Sequence, residues 1–184
     1  MHDKLDRLLS RVERLIDRVE VALPRNLAAP DWGQSVAFRY RKRGTGQGVL
    51  EPVRHIGAMR LQDLQEIEPQ KEKIRLNTLQ FVSGRPANNV LLTGARGTGK
   101  SSLIRACLHE YADQGLRLIE VDKADLIDLP DLVDLVASRP ERFIVYCDDL
   151  SFDEGEPGYK ALKSILDGSI AAASDNVLIY ATSN

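Results

Sequence analysis

The feature that most constrains this chain is a glycine-rich segment that runs from Gly94 to Ser101. Its spacing is Gly-x-x-x-x-Gly-Lys-Ser, so that Lys100 directly follows the last glycine. An apolar run at residues 90–92 precedes the segment, and apolar residues at helical spacing follow it over residues 102–111. A buried strand, a glycine-rich loop and a helix in this order are typical of a phosphate-binding loop.

The residue types in this loop fit the chemistry of phosphate binding. Glycine adopts positive φ without strain, so the backbone can curl and approach a ligand closely. Successive N–H groups, together with the positive end of the helix dipole, can then bind phosphate oxygens. Lys100 supplies a mobile positive charge for the β- and γ-phosphates, and the Ser101 hydroxyl is a hard oxygen ligand for Mg²⁺. We predict a nucleoside triphosphate site that consists of Gly94, Ala95, Arg96, Gly97, Thr98, Gly99, Lys100, Ser101 and Ser102.

A second apolar run, at residues 143–147, ends in Asp148 and Asp149. On its own, such a run also fits a strand that ends in a polar turn. Downstream of a phosphate-binding loop, with a strand and a helix between the two, it predicts the acidic half of the same site. We expect Asp148 to hold the Mg²⁺ shell, usually through water, and Asp149 to orient or deprotonate the attacking water.

A last apolar run, at residues 177–182, predicts a buried strand that leads to Asn184. A side-chain amide at the tip of a strand beside the acid-bearing strand can hydrogen-bond the γ-phosphate or the attacking water. The alternative is that Asn184 is simply a chain end without a role in the site.

The composition is that of a globular protein, with 43% hydrophobic and 28% charged residues. The formal net charge of −2 argues against general binding of polyanions. Residues 1–92 carry 16 Lys/Arg and 11 Asp/Glu, a charge of +5, whereas residues 93–184 carry 9 and 16, a charge of −7. A basic first half therefore precedes an acidic second half.

The cysteines and the hydropathy pattern bear on the cellular setting. Cys107 and Cys147 stand alone in a predicted helix and a predicted strand, in neither a disulfide framework nor a metal-binding spacing. We therefore expect a reduced, cytoplasmic setting. The sequence has no run of 18 apolar residues, and its N-terminus is too charged for a signal peptide. We predict neither a membrane span nor an export signal.

Residues 3–23 predict an amphipathic helix that ends before Pro24. It is either a short coiled coil or partner helix, or a helix packed on the core of its own chain. Binding at a membrane surface is a weaker third interpretation, because acidic residues dilute the basic face. The recurring apolar positions are Leu5, Leu8, Val12, Leu15, Val19 and Ala22.

Residues 36–43 alternate apolar and basic side chains, which is the period of a half-buried strand. The glycine-rich residues 44–48 can turn the chain, so that a partner strand returns at residues 49–50. With Phe38 and Tyr40 among its basic residues, this strand is either a nucleic-acid face or a solvated sheet edge whose charge prevents edge pairing.

The remaining pattern predicts further helices and a strand. A helix with Pro69 in its first turn leads towards residue 90, and residues 116–121 predict a second strand. A helix begins near Asp128 and ends before Pro140, and another follows Pro157.

With both motifs in place, the chain resembles the AAA+ ATPases. More narrowly, it resembles a bacterial family of uncharacterised AAA+ ATP-binding proteins known only as a domain of unknown function. The resemblance covers roughly residues 36–184. The stretches that carry it are residues 86–102, 146–152 and 177–184, with softer matches at residues 38–40 and 70–71.

The resemblance implies an α/β fold, a three-layer P-loop NTPase of the AAA+ type with a parallel sheet in the strand order 5-1-4-3-2. It implies a Walker A motif at the phosphate loop and a Walker B motif at the acid-bearing strand, with ATP and Mg²⁺ as ligands. Lys100 and Asp149 then have the catalytic roles given above, and Asn184 is the first sensor residue. The loop at residues 64–67 is expected near the adenine. The four strands present are at residues 90–93, 116–121, 143–148 and 177–182.

The implied function is ATP hydrolysis that drives remodelling or loading of a macromolecular partner by the full-length protein, which is a candidate homo-oligomer. The alternative is a non-hydrolysing, nucleotide-dependent binding module that recruits a protein partner through the helix at residues 3–23.

The chain departs from its relatives in three ways. Glu66 stands where similar proteins usually have glycine, which argues against a close approach of the backbone to the base. Asp149 replaces a more common glutamate, so we expect slow hydrolysis. The fifth strand, arginine finger, second sensor and helical lid are expected only beyond Asn184. We interpret the sequence as a fragment or truncated relative of a longer ATPase, with weak or no turnover by itself. Its expected divisions are a helix at 1–23, a linker, β-hairpin and lead-in helix at 24–80, and an incomplete NTPase core at 81–184.

Overall fold

The computed structural model describes Val12 and residues 27–42, 48–151, 157–166 and 174–184. Val12 is helical and exposed. The rest of the helix predicted over residues 3–23 lies outside the described residues, as do residues 44–47 of the turn predicted at residues 44–48.

Besides Val12 and three short 3-10 helices, the described part of the chain contains six strands and four α-helices. The strands are β1 (Ala37–Lys42), β2 (Gly48–Pro52), β3 (Val90–Thr93), β4 (Leu116–Val121), β5 (Arg142–Cys147) and β6 (Val177–Ser183). The helices are α1 (Glu68–Val82), α2 (Lys100–Tyr111), α3 (Leu129–Val136) and α4 (Pro157–Leu166). Relative to the sequence-based bounds, β5 ends one residue earlier and β6 extends one residue further.

The six strands form one sheet in the order β2-β1-β4-β5-β6-β3. β1 and β2 pair antiparallel, and all other neighbours pair parallel. The order β3-β6-β5-β4 confirms the 1-4-3-2 order that the resemblance implied. The interpretation of residues 36–43 as a sheet edge is wrong, because β1 lies between β2 and β4 and the edge is β2.

Helices cover both faces of the sheet. α1 and α2 bury Ile74, Phe81 and Leu108 against one face, whereas α3 and α4 bury Leu132 and Leu162 against the other. Each fully buried side chain of this size contributes about 1.5–3 kcal/mol, so these two clusters hold the helices to the sheet. The three layers confirm the predicted α/β fold class of a P-loop NTPase.

The parallel register brings the ends of three strands together. Thr93 of β3 lies opposite Ser183 of β6, and Cys147 of β5 lies opposite Ala181 of β6. The phosphate loop, which leaves β3, and Asp148, which follows β5, therefore flank the end of β6 from opposite sides. Ligands of such folds bind in the crevice beyond the carboxyl ends of the strands.

Polar contacts fix α1 on this sheet. The Asn77 side chain donates to the carbonyl of Asn88 at 2.8 Å and accepts from its N–H at 2.9 Å, just before β3 begins. The buried hydroxyl of Tyr180 on β6 lies 2.9 Å from Thr78 Oγ1 and 3.0 Å from Asn77 Nδ2. Tyr180 thus has its hydrogen-bonding capacity satisfied by the helix above it.

Candidate nucleotide-binding site

The phosphate loop joins β3 to α2 over residues 94–99. Gly94, Gly97 and Gly99 have φ angles of 145°, 83° and 86°, which favour glycine. A Cβ added at Gly97 or Gly99 would meet no atom within 4 Å, so the backbone conformation rather than lack of space requires glycine there. Helix α2 begins at Lys100, and the N–H groups of its first turn therefore adjoin the loop.

The ammonium group of Lys100 is held by neutral oxygens. Nζ donates to the carbonyls of Gly94 and Ala95, the latter at 2.9 Å, and to Oδ1 of Asn184 at 3.0 Å. The ion pairs found among the described residues do not include Lys100. Its positive charge is therefore oriented by dipoles and can pair with an anionic ligand.

The carboxylate of Asp148 is surrounded by hydroxyl groups. Its Oδ1 accepts hydrogen bonds from Ser101 Oγ at 2.9 Å and from Thr182 Oγ1 at 2.5 Å. Partial burial by itself raises the pKa, but the hydroxyls of Thr182, Tyr146 and Ser101 outweigh burial and hold the pKa of Asp148 below its ordinary value. Asp148 is thus an ionised oxygen donor beside the Ser101 hydroxyl.

Asp149 and Asn184 are joined to the same group of residues. Asp149 has a φ of 53°, a left-handed conformation that aspartate tolerates better than most residues. Its N–H donates to Thr182 Oγ1 at 2.9 Å, and its Oδ1 accepts from Asn184 Nδ2 at 2.6 Å. The amide of Asn184 therefore bridges Asp149 and Lys100, so the three predicted catalytic residues lie in one chain of hydrogen bonds.

A cleft of about 270 Å³ contains most of the predicted site. Of the predicted residues, Gly94 and Ala95 do not line it, but their carbonyls hold Lys100. The cleft is lined by Arg96, Gly97, Thr98, Gly99, Lys100, Ser101, Ser102, Asp148, Asp149, Thr182 and Asn184.

A second, mainly apolar cleft of about 240 Å³ borders the phosphate loop. Ile67, Gln70 and Leu103 contribute to it, together with Gly94. Next to Ile67, Glu66 has a φ of 63°, so this position has the conformation that glycine favours. A glutamate there costs roughly 1–2 kcal/mol of backbone strain. The loop expected near the adenine thus adjoins the phosphate loop.

The donor set fits Mg²⁺. The oxygens of Ser101 and Asp148 are hard ligands that lie 2.9 Å apart. Within the described ranges, no three His, Cys, Asp or Glu side chains are grouped so that they could hold a metal by themselves. Since Mg²⁺ usually keeps several waters and shares the phosphates of its substrate, this pair suits a metal that binds together with a nucleotide.

Thr182 and Tyr146 are site residues that the sequence pattern did not predict. Thr182 donates to Asp148 and accepts from the N–H of Asp149, so it ties the ends of β5 and β6 together. The available signal is that Thr182 is two residues before Asn184 and therefore on the same face of the strand. Tyr146 is likewise two residues before Asp148 and on the same face of the chain.

The basic strand β1 is neutralised by acids of the same chain. Nη2 of Arg39 lies 3.0 Å from a carboxylate oxygen of Glu120, and Nζ of Lys42 lies 2.9 Å from one of Asp128. These cations already have counterions, which leaves little positive charge on this strand for an external polyanion.

The aromatic residues of β1 are buried. Phe38 and Tyr40 are 0% and 2% exposed, and the Tyr40 hydroxyl donates to Asp128 at 2.8 Å. Bases stack on exposed rings, so this burial contradicts the interpretation of Phe38 and Tyr40 as a nucleic-acid face.

Both cysteines are free, and burial raises the pKa of Cys107 and of Cys147 to about 12. Neither thiol is therefore suited to nucleophilic chemistry. Across the part of the chain that the structure describes, every helix is too short or too polar to cross a membrane.

Comparisons with known proteins agree with the fold. A single-residue mutant of RuvB from Thermotoga maritima superposes with a TM-score of 0.51 at 17% sequence identity, over 70% of this chain and 42% of that one. AMPPCP-bound DnaA from Aquifex aeolicus gives 0.47 at 16% identity, over 70% of this chain and 43% of that one. The chain thus spans about two fifths of the length of these proteins. No curated protein is similar enough to count as a match.

The fold is that of an AAA+ P-loop NTPase, as the resemblance predicted. The model of the family described as "Protein of unknown function (DUF815)" matches residues 33–184, and the chain belongs to this family.

Proposed function

We propose that the chain binds Mg-ATP at the phosphate loop and that its full-length form hydrolyses ATP to drive remodelling or loading of a macromolecular partner. The observation that carries the binding proposal is the convergence of Lys100, the Ser101–Asp148 pair and Asp149 on one cleft. The role in remodelling or loading rests on analogy with the fold class, and a homo-oligomer belongs to the same analogy.

The phosphate groups would be bound by Lys100 and the first turn of α2. Lys100 exchanges its neutral partners, the carbonyls of Gly94 and Ala95, for phosphate oxygens, which add the attraction between opposite full charges to the hydrogen bonds. The N–H groups at the start of α2 favour an anion at the same place. The apolar cleft beside Ile67 suits the adenine ring.

Ser101 and Asp148 would hold the metal, and Asp149 would act on water. When bound, Mg²⁺ neutralises charge on the β- and γ-phosphates. Asp149 accepts a proton from the attacking water, whose oxygen forms a bond to the γ-phosphorus while the bond to ADP breaks. The Asn184 amide, which donates to Asp149, sets the orientation of that carboxylate.

Calorimetry with Mg-ATP tests the binding proposal. We expect Lys100→Ala to weaken binding roughly 10- to 150-fold, because a hydrogen bond to a charged group contributes about 1.5–3 kcal/mol. Lys73 is exposed on α1, so Lys73→Ala is the matched control and leaves binding unchanged. A folded wild type that binds no Mg-ATP, with the fold verified by circular dichroism and a melting curve, contradicts the proposal.

Phosphate release from the same samples separates hydrolysis from binding alone. Release that falls at least about 100-fold in Asp149→Asn supports the role of this residue as the base. Binding without release supports the alternative, a nucleotide-dependent binding module, for these residues. Release that DNA stimulates favours a nucleic-acid partner over a protein partner.

A further inference from the structure

The buried hydroxyl of Tyr146 lies close enough to Asp148 to lower the pKa of that carboxylate, but it lacks a well-formed hydrogen bond among the described residues. Tyr146 lies on β5, two residues before Asp148, and its side chain is 1% exposed. Among the described residues, no group forms a hydrogen bond of ordinary length and angle with its hydroxyl. A buried hydroxyl loses its bonds to water and normally regains them within the protein, so an unpartnered one calls for a physical explanation.

The surroundings of this hydroxyl are those of the metal site. Tyr146 is two residues before Asp148 and therefore on the same face of the chain, and the side chains that interact with its hydroxyl are those of Ser101, Asp148 and Thr182. A phenol carries its proton at neutral pH and is a potential donor. The carboxylate of Asp148 already accepts from Ser101 and Thr182 through one of its oxygens.

One of these two existing donors is the residue expected to bind Mg²⁺. In the structure, the Ser101 hydroxyl donates to Asp148, whereas a metal ligand must turn its oxygen towards the ion. The carboxylate then needs another donor to keep its orientation, since ligating carboxylates are themselves held by hydrogen bonds. Tyr146 is a buried donor near Asp148 for which the described residues provide no well-formed hydrogen bond.

We propose that Tyr146 is a positioning residue of the magnesium site, whose hydroxyl donates a hydrogen bond to Asp148 when Ser101 turns to the metal. This inference rests on the proposed function, because it presupposes that Mg²⁺ binds with the nucleotide.

Tyr180 provides a matched control within the same layer. It lies directly opposite Tyr146 on the neighbouring strand β6 and is also fully buried. Its hydroxyl, however, contacts Thr78 and Asn77 of α1 rather than the metal site. The two tyrosines thus differ mainly in what surrounds their hydroxyl groups.

The test compares Tyr146→Phe with Tyr180→Phe. Each protein is titrated with a non-hydrolysable ATP analogue in EDTA, and then with Mg²⁺ at a fixed concentration of the analogue. For Tyr146→Phe we expect unchanged affinity in EDTA and a roughly 10-fold higher Mg²⁺ requirement, the lower end of the loss for partners of metal ligands. Tyr180→Phe should need the same Mg²⁺ concentration as the wild type.

Thermal unfolding without metal provides a second readout. Tyr146→Phe should melt no lower than the wild type, because the hydroxyl that it removes forms no well-formed hydrogen bond with the described residues in that state. Tyr180→Phe should melt lower, because its partners on α1 lose a hydrogen bond.

The possible outcomes separate this inference from the proposed function. A wild-type Mg²⁺ requirement in Tyr146→Phe, or an equal rise in both variants, overturns the role of Tyr146 alone. A lowered melting temperature of metal-free Tyr146→Phe also overturns it. A folded wild type that binds no nucleotide under either condition overturns the proposed function as well.

Discussion

Two regions at the sheet each contain a lysine and an aspartate, but the lysine has different partners in the two regions. Nζ of Lys42, on β1, lies 2.9 Å from a carboxylate oxygen of Asp128. Among the described residues, Nζ of Lys100, beyond the other side of the sheet, donates to carbonyl and amide oxygens. An external anion must break an ion pair at Lys42, whereas at Lys100 it replaces neutral partners.

The acidic residues show the same contrast. Asp128 accepts from the ammonium of Lys42 and from the hydroxyl of Tyr40, so that its charge is compensated within the fold. Asp148 accepts from neutral hydroxyl and backbone groups, which keep it ionised, and the ion pairs found among the described residues do not include it. In the candidate ligand site, charged groups are held by neutral dipoles, whereas at β1 the charged groups pair with each other and stabilise the fold. This difference helps to distinguish the two kinds of region.

The most sensitive test of this difference is to replace one acidic residue in each region. We expect Asp148→Asn to lower the Mg²⁺ affinity of the nucleotide complex roughly 10- to 100-fold, since Asp148 orients the metal and its waters. Asp128→Asn should leave that affinity unchanged. The measurement is a Mg²⁺ titration with a bound ATP analogue. If both substitutions lowered the Mg²⁺ affinity equally, the different partners of the two aspartates would have no bearing on ligand binding.

Each region also contains a glycine that a larger residue should not replace, and the physical reason differs between the two. A Cβ on Gly48 would lie 2.0 Å from the Tyr40 ring, whereas Gly97 has open space but a φ of 83°. We expect a loss of stability of about 1–3 kcal/mol for Gly48→Ala from overpacking, and about 1–2 kcal/mol for Gly97→Ala from backbone strain. Urea unfolding measures both.

Two controls separate these causes. Gly57 has neither a positive φ nor a close neighbour, so Gly57→Ala should be neutral or slightly stabilising. In a Tyr40→Ala background, Gly48→Ala should cost much less, while Gly97→Ala should cost the same. Additive effects of Tyr40→Ala and Gly48→Ala would rule out the steric explanation.

A smaller effect is expected from the ion pair on β1. The side chains of Lys42 and Asp128 are 32% and 17% exposed, so solvent screens their attraction only in part. A double-mutant cycle with Lys42→Met and Asp128→Asn should give a coupling energy of about 0.5–1 kcal/mol that falls at high salt. Mg-ATP affinity should not change in either single variant. A coupling of zero at low salt would remove the structural role assigned to this pair.

The elements that sequence predicted well are those whose pattern is local. The spacing from Gly94 to Ser101 and the acid-terminated run before Asp148 are each contained in about ten residues, and the strand order followed from the family that they indicated. Residues 36–43 also predicted a strand correctly. The pattern could not predict which strands pair with this one or which side chains contact it. Arg39, for example, pairs with Glu120, which lies 81 residues later in the sequence.

The site residues that sequence missed owe their roles to register between strands. A threonine or tyrosine inside an apolar run is typical of a core residue, and Tyr180 is indeed such a residue. Tyr146 and Thr182 differ from it only because β5 and β6 end beside Ser101, which depends on pairing across the sheet. Periodicity identifies the face of a strand, but it does not identify what lies above that face.

The pH dependence of stability gives the smallest expected effect and bears on the charge of Asp148. Its pKa is lowered in the folded protein, so the unfolded chain binds more protons in acid and stability rises with pH. The contribution of Asp148 is fully present above the ordinary pKa of about 3.9 and is lost as the pH falls through the lower folded value. Because this carboxylate is partly solvent-screened, we expect less than about 1 kcal/mol. Urea unfolding between pH 2.5 and 6 should show a steeper loss for the wild type than for Asp148→Asn. Parallel curves would mean that the hydroxyls of Ser101 and Thr182 do not hold Asp148 in its ionised form, and the contrast with Asp128 would then rest on geometry alone.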